Sequence, residues 1–369
     1  MANDVQTSTI HLAVLWTAPD GLFGGYERFV TDLVERLPHL GMSVEIRRPF
    51  PWAMRLAFAL TGELVANGRP VSARVPRLRP KRVVSVVYAK NDLLDLLLLR
   101  LLFRRTPSII GLHSPASRPP GGKLRWIRRA VYSKLIYDRL VPRKDVWFHS
   151  LRSDSELAAS DRMLPDKVRV IPNYVRPFQR AGHVLPRTIR PIPVVAFVGR
   201  LCYEKGFDLL VDAVGAVNSE GVCVECVVVG TGPLVSECID RPNIKYLGFV
   251  SDPYPILESS DFVVMPSRWD QAPFVAREAA SVGTPVIASD LRAFDSYVFD
   301  SRLRMQAGVV GSLEDALRQA IRIYGTAEYE EMRAQMRRIG DNEPTIDSSM
   351  ELLASLIAEV ANQSPQGDC

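Results

Sequence analysis

The chain has 369 residues, 47% of them hydrophobic and 24% charged. At roughly 100–200 residues per domain that length favours two domains, and the composition excludes a disordered or low-complexity protein. The net charge of +5 hides a split, with +17 on residues 1–190 and −12 on residues 191–369.

The chain opens on Met1-Ala2-Asn3-Asp4, without the cationic and apolar pattern of a secretory leader, so a cytoplasmic protein is expected. Residues 10–16 are apolar and read as a strand. A turn-rich stretch over 17–24 leads into a helix over 25–40, with Phe29, Leu33, Leu37 and Leu40 on one face. Gly41 ends it, and a second strand follows over 42–47. Further strands are expected at 83–88, 108–113, 145–149 and 168–171, with helical stretches between them. That alternation is the pattern of a mostly parallel sheet covered by helices. The most apolar run, 93–103, contains Asp95 and Arg100 and is far shorter than the roughly 20 residues that span a bilayer.

The positive charge concentrates in 122–144, which holds Lys123, Arg125, Arg128, Arg129, Lys134, Arg139, Arg143 and Lys144. Leu124, Ile127, Val131 and Leu135 share one helical face there. Such a basic amphipathic helix reads as a contact for an anionic membrane surface. Residues 49–60, with Phe50, Trp52, Arg55 and Phe58, would add to it. The alternative is a helix packed on its own domain with a solvated charged face. Nucleic acid is not expected, because no recognised binding motif accompanies the charge.

Pro172, Pro177, Pro186, Pro191 and Pro193 mark a linker. The expected domains are 1–185 and 186–345, and a final helix over 346–362 could return to the first. The alternation then restarts. Strands are expected at 194–198, 222–229, 243–247, 262–265 and 285–288, and helices at 205–218, 252–259 and 274–281. Two α/β halves of similar size suggest two doubly wound, Rossmann-like domains facing a cleft. The cysteines are sparse and odd in number (Cys202, Cys223, Cys226, Cys238 and Cys369), which suits reduced thiols. Cys223 and Cys226 have redox-motif spacing, but three residues apart on a strand they face opposite sides.

Four segments of the second half carry chemistry. Gly199-Arg200-Leu201-Cys202-Tyr203-Glu204-Lys205-Gly206 joins a strand end to a helix start. Cations placed there suit a diphosphate. Gly230-Thr231-Gly232-Pro233 is a turn able to approach a ligand closely. Tyr246-Leu247-Gly248-Phe249-Val250 follows the next strand. Pro266-Ser267-Arg268-Trp269-Asp270 runs on through Ala272-Pro273-Phe274 to Glu278, then to Gly283-Thr284-Pro285. All four fall on one edge of the expected sheet, where open α/β sheets bind ligands. No His, Cys, Asp or Glu cluster has metal-ligand spacing.

This ordered set resembles the retaining nucleotide-sugar glycosyltransferases of family 4, which have the GT-B fold. The match is dense over about 194–292. It is sparser in the first half, at Gly24-Gly25-Tyr26-Glu27, His113 and Ile171-Pro172-Asn173. The resemblance implies a donor site in which Glu278 holds the ribose hydroxyls and Asp270 touches hydroxyls of the donor sugar. Arg200 and Lys205 would neutralise the leaving diphosphate, aided by the backbone N–H groups of Phe274 and Val275. The turns at Gly230, Gly232, Phe249 and Val250 would frame the base. Gly24 and Gly25 would let the backbone approach the diphosphate, and His113 would sit near the donor sugar. It further implies a hexose-type sugar moved from a UDP or GDP donor to a glycan or lipid-linked glycan at the inner membrane face. No cofactor is expected beyond the nucleotide-sugar substrate, and the basic pair makes a metal unnecessary.

The sequence departs from the family at two places. Asp270 stands where Glu is common, one methylene shorter, and Gln271-Ala272-Pro273-Phe274 replaces a glycine-containing turn. Pro273 lacks an N–H but suits a helix start. Structural alternatives remain for each residue: an ion pair for Arg200, a solvated cation for Lys205, a helix cap for Asp270. Glu278 could be a surface acid, His113 a core histidine, and Gly24 and Gly25 a plain turn. Two other functions share these features: a nucleotide-sugar epimerase or hydrolase, and a non-catalytic binding subunit that supports a partner transferase.

Overall fold

The computed structural model describes residues 10–15, 25–47, 86–90, 99, 103, 106–112, 146–150, 167–178 and 189–363. Two compact units emerge. One contains Tyr26–Pro172, the strand before it and the chain from Asp347 onward; the other is built on Asn173–Ile346.

The first unit holds six strands: β1 (His11–Leu15), β2 (Ser43–Arg47), β3 (Val86–Lys90), β4 (Ser108–Leu112), β5 (Val146–Ser150) and β6 (Val168–Val170). They lie in the order β2-β1-β3-β4-β5-β6, with every neighbouring pair parallel. Helix α1 (Gly25–Arg36) buries Phe29, Val30 and Leu33. The helix expected over 25–40 changes character at Leu37 and finishes as a 3-10 turn, Leu37–Leu40. Pro38 explains the change, since it has no N–H to continue the α-helical ladder. Gly41 then closes the turn at φ 80°, a left-handed conformation that glycine adopts without strain.

The second unit repeats the plan with β7 (Val194–Val198), β8 (Glu225–Val229), β9 (Ile244–Tyr246), β10 (Phe262–Met265), β11 (Val286–Ser289) and β12 (Arg304–Met305). The order is β12-β11-β10-β7-β8-β9, again all parallel. Its helices are α2 (Phe207–Ser219), α3 (Tyr254–Ser259), α4 (Phe274–Val282), α5 (Val310–Ile323) and α6 (Ala327–Gly340). The helix α7 (Ile346–Asn362) follows. Two Rossmann-like units with parallel sheets are the α/β architecture that the GT-B resemblance implies.

The chain changes unit at Pro172, upstream of the boundary expected at 185. Val175 forms a bridge with Thr345, the Tyr254 hydroxyl donates to the Arg176 carbonyl at 3.1 Å, and Phe178 stacks on Tyr254 at 4.3 Å. These contacts tie 173–178 to the second unit. Helix α7 goes the other way. Ser349 donates to the Pro172 carbonyl at 3.1 Å, and Glu359 pairs with Arg169 at 2.9 Å.

Helices α5 and α6 have no counterpart in the expected elements, although their signal is present. Leu313, Ala316, Leu317 and Ala320 repeat at helical spacing and are buried. Thr326 caps α6 by accepting from the Tyr329 N–H at 3.3 Å. The strand expected over 222–229 begins only at Glu225, so Cys223 lies outside it and is exposed. Cys226 is buried, and burial beside Cys238 pushes its thiol up to about 12. The stretches 49–60 and 122–144 lie outside the described residues. Among the described residues no helix is long and apolar enough to cross a membrane.

Candidate active site

In the second sheet β7 lies between β8 and β10. The chain winds outward from β7 through β8 to β9, then returns beside β7 at β10 and winds the other way. The loops leaving β7 and β10 therefore part at a topological switch point, the usual ligand site of an open parallel sheet.

Glycines bring these loops together. The helix expected over 205–218 begins instead at Phe207, after a 3-10 turn over Tyr203–Lys205 and Gly206 at φ 66°. A Cβ on Gly206 would collide with the Pro266 carbonyl of the β10 loop. Gly230 and Gly232 do the same on the other side. A side chain at Gly230 would strike the Gly199 carbonyl, and one at Gly232 the backbone of Leu201. Backbone bonds Leu201 N–H to Thr231 and Leu234 N–H to Leu201, each 2.9 Å, close the seam. The close approach that these two glycines permit is thus to a neighbouring loop. Gly230 also donates to the Gly248 carbonyl at 2.8 Å, linking the β9 loop, where Phe249 is exposed and Val250 half-buried.

At the seam the Lys205 ammonium donates to Asp270 Oδ2 at 2.6 Å. Ser267 Oγ donates to the same oxygen at 3.4 Å, and the Gln271 N–H donates to Oδ1 at 2.9 Å. Both carboxylate oxygens are therefore engaged, and the Asp270 side chain is only 10% exposed. An ammonium has three N–H donors, of which Asp270 takes one, and Lys205 keeps 25% of its side chain exposed. Arg200 pairs with Glu204 at 3.0 Å and is 31% exposed. Asp270 does not cap α4, which starts four residues later behind Pro273 with no side-chain cap.

Helix α4 brings Phe274 and Val275 to its first turn, whose N–H groups have no intrahelical acceptor. Asn173 Nδ2 donates to the Ala272 carbonyl at 2.5 Å, just before that turn, and Tyr174 meets Phe274 edge-on at 5.4 Å. Asn173 ends the Ile171-Pro172-Asn173 motif, and its spacing alone implies no role. Its Oδ1 is buried with no hydrogen-bond partner. Glu278 is 1% exposed on α4, so it is not a surface acid. Gly25 is the first residue of α1, while His113 and Gly24 lie outside the described residues. Among the described residues no group of three His, Cys, Asp or Glu could hold a metal ion.

Residues 192–325 match the family model described as Glycosyl transferases group 1. That match lies within the second unit. The matched span runs from β7 to the end of α5 and holds Arg200, Lys205, Asp270 and Glu278. One curated relative is the granule-bound starch synthase 1 of Arabidopsis thaliana, 29% identical over 165 residues. That match spans 39% of this chain and only 27% of the relative. Among solved structures, sucrose-phosphate synthase from Thermosynechococcus elongatus superposes with a TM-score of 0.68 at 15% identity, covering 96% of this chain and all of that one. Anabaena HepE in complex with UDP-glucose gives a TM-score of 0.64 at 16% identity, covering 95% of this chain and all of that one. At such identities the likeness shows a shared fold.

Proposed function

We propose that the protein is a retaining glycosyltransferase that moves a hexose-type sugar from a UDP- or GDP-sugar to a glycan or lipid-linked glycan. The observation that carries this reading is the meeting of Lys205 and Asp270 at 2.6 Å at the switch point, inside the span that matches the group 1 model and on the loop that also bears Arg200. The UDP-glucose bound to HepE supports a nucleotide-sugar donor.

The chemistry suits these groups. The bond between the sugar's anomeric carbon and the phosphate oxygen breaks, and its electron pair leaves with the nucleoside diphosphate. An acceptor hydroxyl attacks the same face of the sugar and forms the new glycosidic bond. Its proton passes to the departing phosphate oxygen. Lys205 and Arg200 stabilise the negative charge that grows on the leaving group, which is electrostatic catalysis of the developing charge. The first-turn N–H groups of Phe274 and Val275 add donors of the same sign. Asp270 orients Lys205 and meets the donor sugar, and Glu278 holds the ribose. The cationic pair makes a metal unnecessary for neutralising the diphosphate. The positive charge of 122–144 suits an acceptor that is an anionic membrane surface or a lipid pyrophosphate.

The test is to offer UDP-glucose, GDP-mannose and ADP-glucose and to measure protection against heat unfolding, then release of nucleoside diphosphate with and without acceptor. Arg200→Ala and Glu278→Ala should each lose most transfer while staying folded. Protection by none of the three donors would overturn the reading. Sugar isomerisation, or rapid hydrolysis that ignores acceptor, would replace transfer with another activity of the same fold.

A further inference from the structure

Arg268 is charged, yet it belongs to none of the groups assigned above to the donor. Its guanidinium donates to both oxygens of Asp208, at 2.7 Å each, and to the Tyr203 carbonyl at 2.6 Å. It lies 3.6 Å above the centre of the Tyr203 ring, and its own backbone N–H donates to the Glu204 carbonyl at 2.9 Å. The Arg268 side chain is only 12% exposed, so the guanidinium is largely shielded from solvent. One residue of the β10 loop thus grips the two residues before Lys205 and the start of α2 behind it. Two positions further along the same loop stands Asp270.

The geometry points to Arg268 as the positioning residue that holds Lys205 and Asp270 in register. Its meaning for sugar transfer rests on the donor-site reading above; the strut itself does not. Lys205 is a point charge on a flexible four-carbon stem, whereas a guanidinium fork on a carboxylate has a fixed plane and direction. A flexible cation meets its partner reliably only if the backbone on both sides is held. Arg268 supplies that hold through two carbonyls and one carboxylate. Gly206, which lets the same two loops touch at Pro266, leaves the contact without a side-chain lock of its own.

The chain has eight lysines, few enough for each to be followed by peptide mapping after a short pulse of an amine-acetylating reagent. Wild type, Arg268→Gln and Asp208→Asn are compared with no ligand present. Asp208 is 34% exposed, so its neutral isostere preserves the packing. Both variants should label Lys205 several-fold faster than wild type, because an amine released from Asp270 is open to the reagent. The other lysines should not change, melting should shift by only a few degrees, and the double variant should label no faster than either single one. Unchanged Lys205 labelling in both variants overturns the proposal. So does a rise shared by all lysines with collapse of the melting transition, since that would make Arg268 a general support. If Lys205 responds as expected while no nucleotide-sugar protects the wild type, the strut stands and the donor-site reading falls.

Discussion

In the first unit Tyr88 on β3 and His149 on β5 are wholly buried, with the Tyr88 hydroxyl 2.7 Å from His149 Nδ1. His149 Nε2 lies 2.9 Å from the Ile171 carbonyl. A carbonyl only accepts, so Nε2 carries the proton and Nδ1 accepts from Tyr88. The strand between them, β4, offers Gly111 opposite His149, where no side chain intervenes. Phe29 packs against both rings, at 5.8 and 5.6 Å. In the second unit the comparable polar cluster is Lys205, Asp270, Arg268 and Asp208. It is charged, partly exposed and placed on loops and a helix start rather than strands.

Burial explains the contrast. A neutral pair can enter a core if its hydrogen bonds are made, whereas charges in a core lose hydration that pairing repays only with good geometry. The first cluster is therefore closed and structural: burial pushes the imidazole down to about 4 and the phenol up. The second keeps its charges at the carboxyl edge of the sheet, partly open to solvent. Polar groups inside a sheet and at its edge thus meet different environments on one fold plan.

Three experiments press on this contrast. The largest effect should follow Lys205→Ala. Removing one preorganised donor to a developing anion costs about 10²–10³ in turnover, read as initial rate with the donor that protects the wild type. A variant with wild-type turnover would move Lys205 to the structural side of the comparison.

Acid comes next. His149 titrates at about 4 in the folded chain and at 6.5 when unfolded. Between those values the unfolded chain binds the extra proton, so stability falls as pH drops through that window. The loss should reach about 3 kcal/mol by the lower end. Urea midpoints from pH 7 to pH 4 would show it, and His149→Gln, which keeps a neutral donor and acceptor, should flatten the slope.

Tyr88→Phe should do least, costing about 1–3 kcal/mol because it leaves His149 Nδ1 buried without a donor. Catalysis at the second sheet should be unaffected. A fall in turnover at saturating donor, with the fold intact, would break the separation between the two clusters.

Most of the fold was legible because parallel strands are short apolar runs and the helices between them keep a regular period. Only β12 escaped among the described strands, being two residues long and too short for any pattern. Helices α5 and α6 have a local signal in Leu313, Leu317 and Thr326. The ends of elements were less legible. Gly206 breaks the helix expected from Lys205 because a distant carbonyl, that of Pro266, occupies the space a side chain would need. The proline-rich stretch misplaced the change of unit for a similar reason. What assigns 173–178 is the grip of Tyr254 and Thr345, which no local composition reveals.

Two α/β halves, their charge split, and the spacing of the loops that carry Arg200, Lys205, Asp270 and Glu278 can be read along the chain. Those properties are local, since strand and helix periods and turn residues act over a few positions. That Lys205 meets Asp270 across 65 residues, that Arg268 reaches Asp208 across 60, and that Glu278 is buried are products of long-range packing. These meetings depend on β10 returning beside β7. Strand order in a parallel sheet is chosen by the packing of the whole unit, and no short stretch of chain encodes it.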